Sequence, residues 1–99
     1  MTYKFSGELW EFQGPTSWYF VSLPTDTHAE LKMISREQGP GFGSIRVEAT
    51  IGSSTWKTSI FPDSKSKTFL LPIKKSIREQ ESISAGDEVR VRVKLAEVV

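Results

Sequence analysis

The chain has 99 residues, of which 37% are hydrophobic, 11% aromatic and 25% charged, and this composition suits one soluble globular domain spanning residues 1–99. Thirteen Lys and Arg against twelve Asp and Glu leave a formal net charge of +1, which excludes a strongly polybasic DNA-coating protein and an acidic disordered tail. The sequence has no cysteine, which excludes disulfides and cysteine-ligated metals. It has no signal-peptide stretch and no apolar run near the roughly 20 residues of a membrane helix, so we predict a cytoplasmic protein without membrane contact.

The N-terminal part predicts two aromatic-rich strands, at about residues 3–12 and 17–23. Seven of the eleven aromatic residues lie here: Tyr3, Phe5, Trp10, Phe12, Trp18, Tyr19 and Phe20. The first two occupy odd positions and the next two even ones, so one straight strand cannot bury all four on one face. Either a bulge or bend near Gly7 restores a common side, or both faces are covered, or some aromatic side chains are exposed as a binding surface.

A first short helix is predicted after a capping box formed by Thr27 and Glu30. Its buried side is predicted to carry three apolar residues: Leu31, Met33 and Ile34. Residues 39–41 (Gly-Pro-Gly) end it, at the start of the glycine-rich residues 39–43. They precede a strand rather than a helix, which favours a connector over a phosphate-binding loop.

Alternating apolar and polar residues predict the next strands. Residues 44–51 and 89–95 alternate without a break, which is the period of a half-buried strand. Residues 55–61 and 67–71, between them, are rich in β-branched and aromatic side chains and are bounded by turn formers.

A second short helix is predicted to begin at Pro72, with Ile73 and Ile77 as its apolar pair. Before the last strand, Gly86 and Asp87 predict a structural turn, because glycine adopts positive φ and aspartate accepts nearby backbone N–H groups. Six strands and two short helices in 99 residues are too few for a large two-layer sandwich. We therefore predict a mostly β protein built as a small closed barrel, which buries the alternating faces and leaves no sheet edge.

An ordered set of segments resembles a known microbial family. The segments are FSGEL (5–9), WYFVSLP (18–24), VEATIG (47–52), WKTSIFP (56–62), LLPIKKSIR (70–78) and AGDEV (85–89). Their order is similar to that of the family called domain of unknown function nineteen-oh-five, over about residues 5–95. The resemblance implies a closed six-stranded barrel of the double-split type, an architecture similar to the swapped-hairpin barrels of bacterial transition-state regulators and antitoxins, which bind DNA as dimers. It implies no established activity.

Patterns that suggest catalysis each have a simpler explanation. Ser-x-x-Lys occurs at Ser54/Lys57 and Ser64/Lys67, but both pairs fall in predicted turns or strands and lack the supporting motifs of serine acylases. His28 is the only histidine, follows the proposed helix cap and is predicted to be exposed, without the partners of a metal site or a nucleophile–base pair. We therefore predict no catalytic residue, no metal, no cofactor and no enzymatic activity.

Six residues are candidate contacts for a small molecule or a protein partner: Trp10, Trp18, Trp56, Lys74, Lys75 and Arg78. Tryptophan combines an apolar ring with a polar N–H and lines ligand sites, although a small barrel also needs bulky core residues. Our favoured hypothesis is a non-enzymatic barrel, monomeric or homodimeric, that binds its ligand through the aromatic N-terminal hairpin with the three basic residues at the rim.

The alternative hypothesis is a nucleic-acid-binding domain. Residues 51–99 hold nine basic and six acidic side chains, and Arg90, Arg92 and Lys94 share the outward face of one strand. Such a stripe can contact phosphates. The competing explanation is that outward positions must be polar and that Lys or Arg there prevents pairing at a free sheet edge.

Overall fold

The computed structural model describes residues 1–37 and 43–96, and within them six strands close into one barrel. The elements are β1 (Thr2–Phe12), β2 (Trp18–Ser22), a 3-10 turn (Thr25–Thr27), α1 (His28–Glu37), β3 (Ile45–Ile51), β4 (Ser54–Asp63), β5 (Thr68–Pro72), α2 (Lys75–Gln80) and β6 (Glu88–Leu95). Around the barrel the order is β1-β2-β5-β4-β3-β6, and all six neighbouring pairs are antiparallel. The prediction of a mostly β, closed six-stranded barrel with two short helices is confirmed.

Two long strands divide their hydrogen bonds between two halves of the barrel. In β1, residues 2–8 pair with β6 and residues 9–12 pair with β2. In β4, residues 54–60 pair with β3 and residues 61–63 pair with β5. We call the β1-β6-β3-β4 part the first half-sheet and the β1-β2-β5-β4 part the second half-sheet.

The core is filled by alternate residues of the strands. On β6 the four inward side chains are at most 9% exposed: Val89, Val91, Val93 and Leu95. β3 repeats the pattern from Ile45 to Ile51, with every odd position buried. Leu31 from α1 and Ile77 from α2 join this core. Burial of each such aliphatic side chain contributes about 1.5–3 kcal/mol relative to leaving it in water.

Of the alternatives for the mixed parity of β1, a bulge near Gly7 is not observed. The β1–β6 register runs without interruption from Thr2 to Glu8, so odd positions continue to face the interior as far as Leu9. Trp10 and Phe12 consequently lie on the outside, while the odd-numbered aromatic residues of the strand pack against the core. The glycine is required for close packing, because a Cβ at Gly7 would lie 2.8 Å from a methyl carbon of Val21.

The first helix begins differently from the predicted capping box. The Thr27 hydroxyl donates a hydrogen bond to the carbonyl oxygen of Pro24 (2.6 Å), which closes a 3-10 turn ahead of α1. Leu31 is buried as predicted, but Met33 is 63% exposed because it points away from the barrel. His28, predicted to be exposed, is half-buried against the core ring of Phe69, with 5.9 Å between ring centroids.

The second helix begins three residues later than predicted. Pro72 ends β5, opposite Phe20, and the helix starts at Lys75 after an extended Lys74. Ile77 is buried as predicted. Residues 38–42, which include most of the glycine-rich connector, lie outside the described residues. Within the described ones, no helix is long and apolar enough to cross a membrane.

The predicted turn at Gly86 is confirmed. Gly86 has φ +97° and donates its N–H to the carbonyl oxygen of Leu9 (2.8 Å). The Asp87 carboxylate accepts the N–H of Ser84 (2.8 Å), and the Asp87 carbonyl oxygen accepts the N–H of Leu9 (2.9 Å). The turn therefore attaches the start of β6 to the middle of β1, where β1 passes from one half-sheet to the other.

Candidate cleft and surface faces

A cleft of about 390 Å³ opens where β4 separates from β5. The β4–β5 ladder ends at Phe61 and Leu70, so the first part of β4 is free of β5 and faces the start of β2 and the start of α2. Its walls include three aromatic side chains and four basic ones: Trp18, Tyr19, Trp56, Lys57, Lys74, Lys75 and Arg78. The cleft therefore combines apolar surface with positive charge.

The structure brings together five of the six predicted contact residues in this cleft: Trp18, Trp56, Lys74, Lys75 and Arg78. Trp18 is 52% exposed, whereas Trp56 is only 9% exposed and belongs to the core with one side at the cleft wall. Trp10 lies outside the cleft. Sequence reasoning did not assign Tyr19 and Lys57 to the site, because their place depends on where β4 and β5 separate.

Arg78 is held in one orientation by two contacts. Its Nε donates a hydrogen bond to the carbonyl oxygen of Ile73 (3.3 Å), and its guanidinium carbon lies 3.7 Å from the centroid of the Tyr19 ring. A guanidinium over an aromatic face is stabilised by the ring quadrupole. Ile73 and Tyr19 are themselves joined by a backbone hydrogen bond of 2.8 Å. The terminal nitrogens of Arg78 are thereby positioned beside the cleft without an acidic partner in its lining.

Lys75 differs from the other cations of the cleft because it has a partner. Its Nζ lies 3.7 Å from the carboxylate of Glu79 one turn along α2, and both side chains are largely exposed. Exposed pairs of this kind contribute at most about 1 kcal/mol. The pair nevertheless reduces the positive charge that Lys75 offers to a ligand, so Lys57, Lys74 and Arg78 are the main cations of the cleft.

The outer surface of the second half-sheet carries exposed aromatic side chains. We call this the aromatic face; its residues are Trp10, Phe12, Trp18 and Phe20, which face each other across β1 and β2. Trp10 and Trp18 both contact Phe20, with centroid separations of 5.1 and 6.1 Å, and the Trp10 Nε1–H donates to the Ser22 hydroxyl (3.0 Å). Phe12 is 55% exposed. The mixed parity of β1 thus reflects an exposed aromatic surface.

Arg90, Arg92 and Lys94 lie together on the outside of β6 and do not line the cleft, although Lys94 is only two strands away from Lys57 of its lining. β6 is paired with β1 on one side and β3 on the other, so it is not an edge strand. Protection of a free edge, one part of the competing explanation, is therefore wrong for this strand, while the other part, that outward positions must be polar, agrees with the exposure of these three residues. Lys4 of β1 stands directly opposite Arg92 and adds a fourth cation.

The Ser-x-x-Lys pattern at Ser54 has a structural role. The hydroxyls of Ser54 and Ser53 donate to the carboxylate of Glu81, at 2.5 and 3.0 Å. These hydrogen bonds hold the pKa of Glu81 below its ordinary value, and the one from Ser54 has the larger effect. In the described part of the chain, no group of three or more His, Cys, Asp or Glu side chains is arranged to hold a metal ion.

The family of the chain is shown by a family sequence model. The sequence model of a family described as "Domain of unknown function (DUF1905)" matches residues 5–93, nearly the whole chain. No curated protein matches the chain. The family description prints no activity, ligand or partner, so any functional argument rests on the geometry of the cleft and of the two faces.

Proposed function

Because the chain belongs to the DUF1905 family, whose function is unknown, we propose from the cleft that the protein is a non-enzymatic binding domain for an anionic ligand with a planar apolar group. The ligand is a small molecule or an acidic segment of a partner protein. The observation that supports this proposal is that β2, β4 and α2 bring Trp18, Trp56 and Arg78 to one cleft.

The apolar part of the ligand would contact Trp18. One side of this indole stacks on Phe20 with an interplanar angle of 10°, and about half of the residue remains in contact with solvent. A planar group that covers the exposed part removes apolar surface from water at about 25 cal/mol per Å². Tyr19 and Trp56 form the neighbouring walls.

The charged part of the ligand would be an anion. The lining contains Lys57, Lys74 and Arg78 and no aspartate or glutamate. Arg78 is already oriented by Tyr19 and Ile73, so less conformational entropy is lost when its free N–H groups bind a carboxylate or phosphate. A hydrogen bond to a charged group contributes about 1.5–3 kcal/mol, which is enough to distinguish an anion from its neutral analogue.

The lining favours binding over hydrolysis. Its aliphatic hydroxyl groups, those of Thr16, Ser17 and Thr58, have no imidazole or carboxylate beside them in the lining to act as a general base. A cleft of about 390 Å³ is at the lower end of the usual range for small-molecule sites, roughly 300–1,000 Å³.

The experiment is a titration of intrinsic tryptophan fluorescence with benzoate, phenyl phosphate and acidic aromatic peptides, each paired with its neutral analogue. We expect the anionic member of a pair to bind at least tenfold tighter. Trp18→Phe should abolish most of the fluorescence change, and Lys74→Gln should weaken binding severalfold.

Trp10→Phe is the matched control, because Trp10 also contacts the ring of Phe20, at an interplanar angle of 40°, but lies outside the cleft. It should leave the affinity unchanged. A flat response to the whole panel, or equal affinities for the anionic and neutral analogues, would refute the proposal.

A further inference from the structure

The outer surface of the first half-sheet concentrates positive charge far beyond what the net charge of +1 suggests. Six of the thirteen basic residues occupy its outward positions, and we call them the cationic face: Lys4, Arg46, Lys57, Arg90, Arg92 and Lys94. Glu48, between Lys94 and Lys57, is the carboxylate within this group. Glu8 and Glu88 face each other at one end. We propose that the cationic face binds the phosphate backbone of duplex DNA.

The arrangement of like charges supports a polyanionic ligand. Lys4 and Arg92 are directly opposite across β1 and β6, a placement that destabilises a sheet. Arg90 and Lys94 lie two positions away on either side of Arg92, at about 6.8 Å along the strand. Edge protection does not explain the three neighbouring cations of β6, a strand that is paired on both sides, or Lys4 beside them on β1. Phosphate groups would relieve their mutual repulsion.

The shape of the surface also suits phosphates. Two hollows of about 450 and 430 Å³ lie among these cations. The first includes Lys4, Arg90 and Arg92 together with the hydroxyl-bearing Ser6 and Thr50. The second includes Arg46, Lys57 and Lys94 together with the carboxylate of Glu48. Cationic groups with neighbouring hydroxyls are typical contacts of the nucleic-acid backbone.

The chemistry of the surface favours a duplex over other polyanions. The outward positions of the first half-sheet carry Lys, Arg, Glu, Ser and Thr, and the exposed aromatic side chains of the hairpin lie on the other half-sheet. Single strands bind by stacking their bases on aromatic side chains. A membrane surface is bound by apolar anchors beside the basic residues. Here only charges and hydroxyls are offered, which fits the outside of a double helix.

The test is fluorescence anisotropy of a labelled DNA duplex titrated with the protein at several salt concentrations. Three to five phosphate contacts predict that log K falls with log salt with a slope of about −3 to −5. The dissociation constant should fall in the non-specific range of about 10⁻⁴–10⁻⁶ M at physiological salt, with little dependence on base sequence.

The triple variant Arg90→Gln, Arg92→Gln, Lys94→Gln should lose at least tenfold in affinity at low salt and reduce the slope by about 2–3 units, since each lost contact removes about 0.9. The matched control Lys32→Gln, Arg36→Gln, Lys65→Gln removes the same charge from exposed positions elsewhere. It should change the affinity less than twofold. Glu48→Gln should tighten binding, and this variant tests the proposal even if the triple variant fails to fold.

Absence of binding at low salt, an equal loss in the control variant, or tighter binding to single-stranded DNA or to anionic vesicles would each overturn the proposal. Lys57 belongs to both the cationic face and the cleft lining, so the two activities are separated by substitutions at residues that belong to only one of them. Lys74→Gln should leave duplex binding unchanged, and the triple variant should leave the binding of an aromatic anion unchanged.

Discussion

The Ser54 hydroxyl donates a 2.5 Å hydrogen bond to the Glu81 carboxylate and thereby joins the β3–β4 hairpin to the end of α2. The Ser53 hydroxyl donates to the same carboxylate. β4 and α2 form opposite walls of the cleft, with Trp56 on one and Arg78 on the other. The width of the cleft therefore depends on this link. Gly52 in the same hairpin has φ +56°, a conformation that favours glycine there.

Glu81→Gln should lower Tm by a few degrees and weaken binding in the cleft, because the amide accepts the two hydroxyls less strongly than a carboxylate does. Thermal unfolding and the fluorescence titration measure the two effects. Glu79→Gln is the control, because it removes only the exposed ion pair with Lys75. Equal effects of the two substitutions would show that the link has no special role.

Glu81 also predicts a dependence of stability on acid. Its pKa lies below the ordinary value of 4.5 in the folded state, because Ser54 and Ser53 donate hydrogen bonds to the charged form. As the pH falls below 4.5, Glu81 takes up a proton in the unfolded chain before it does so in the folded protein. The contribution of Glu81 to the free energy of unfolding is therefore present above pH 4.5 and is lost as the pH falls through the lowered pKa. Tm measured down this range should fall less in Glu81→Gln than in the wild type. Parallel curves for the two proteins would contradict the assignment.

At alkaline pH, we expect Tyr3 to make the stability of the folded state fall as the pH rises. Burial, followed by the neighbouring Glu30 carboxylate, raises the pKa of Tyr3 from 10.0 to about 12. The folded state retains the proton longer than the unfolded state, so the contribution of Tyr3 is complete below pH 10 and is lost as the pH rises toward 12. Denaturant unfolding over this range should show a steeper loss of stability in the wild type than in Tyr3→Phe. An identical pH dependence would exclude Tyr3 as the cause.

Gly7→Ala should destabilise the barrel by roughly 1–3 kcal/mol, the usual cost of overpacking a core. The new methyl group would lie 2.8 Å from Val21 Cγ1 and 3.3 Å from the carbonyl oxygen of Ser22. Gly14→Ala is the control, because its methyl group would first meet the exposed ring of Phe12 at 3.3 Å. Denaturant unfolding measures both, and an equal loss would contradict the close packing at Gly7.

The barrel could be predicted because β3 and β6 alternate without a break, so each shows from sequence which residues it buries. The orientation of Trp10 could not be predicted, because a bulged strand and a straight strand fit the same residues. Only the pairing with β6 and β2 shows on which face Trp10 lies. The predicted capping box at Thr27 was also wrong, because the Thr27 hydroxyl donates to the carbonyl oxygen of Pro24 in the preceding turn.

The candidate site was only partly predictable for the same reason. The set of Trp18, Trp56 and Arg78 could be proposed from residue type, but their meeting depends on the point at which β4 leaves β5. Lys57 and Lys4 could not be assigned to a site from residue type, because each joins its site only through neighbours on other strands. Register is a property of the paired sheet and has no signature within one strand.

The passage of β1 from one half-sheet to the other places Lys4 and Trp10 on a single strand with unlike surroundings. Six residues of extended chain separate them by about 20 Å. The two ends of β1 therefore present different surfaces, one charged and one aromatic. Because the barrel is closed, the hydrogen bonds between its strands fix the distance between these two surfaces.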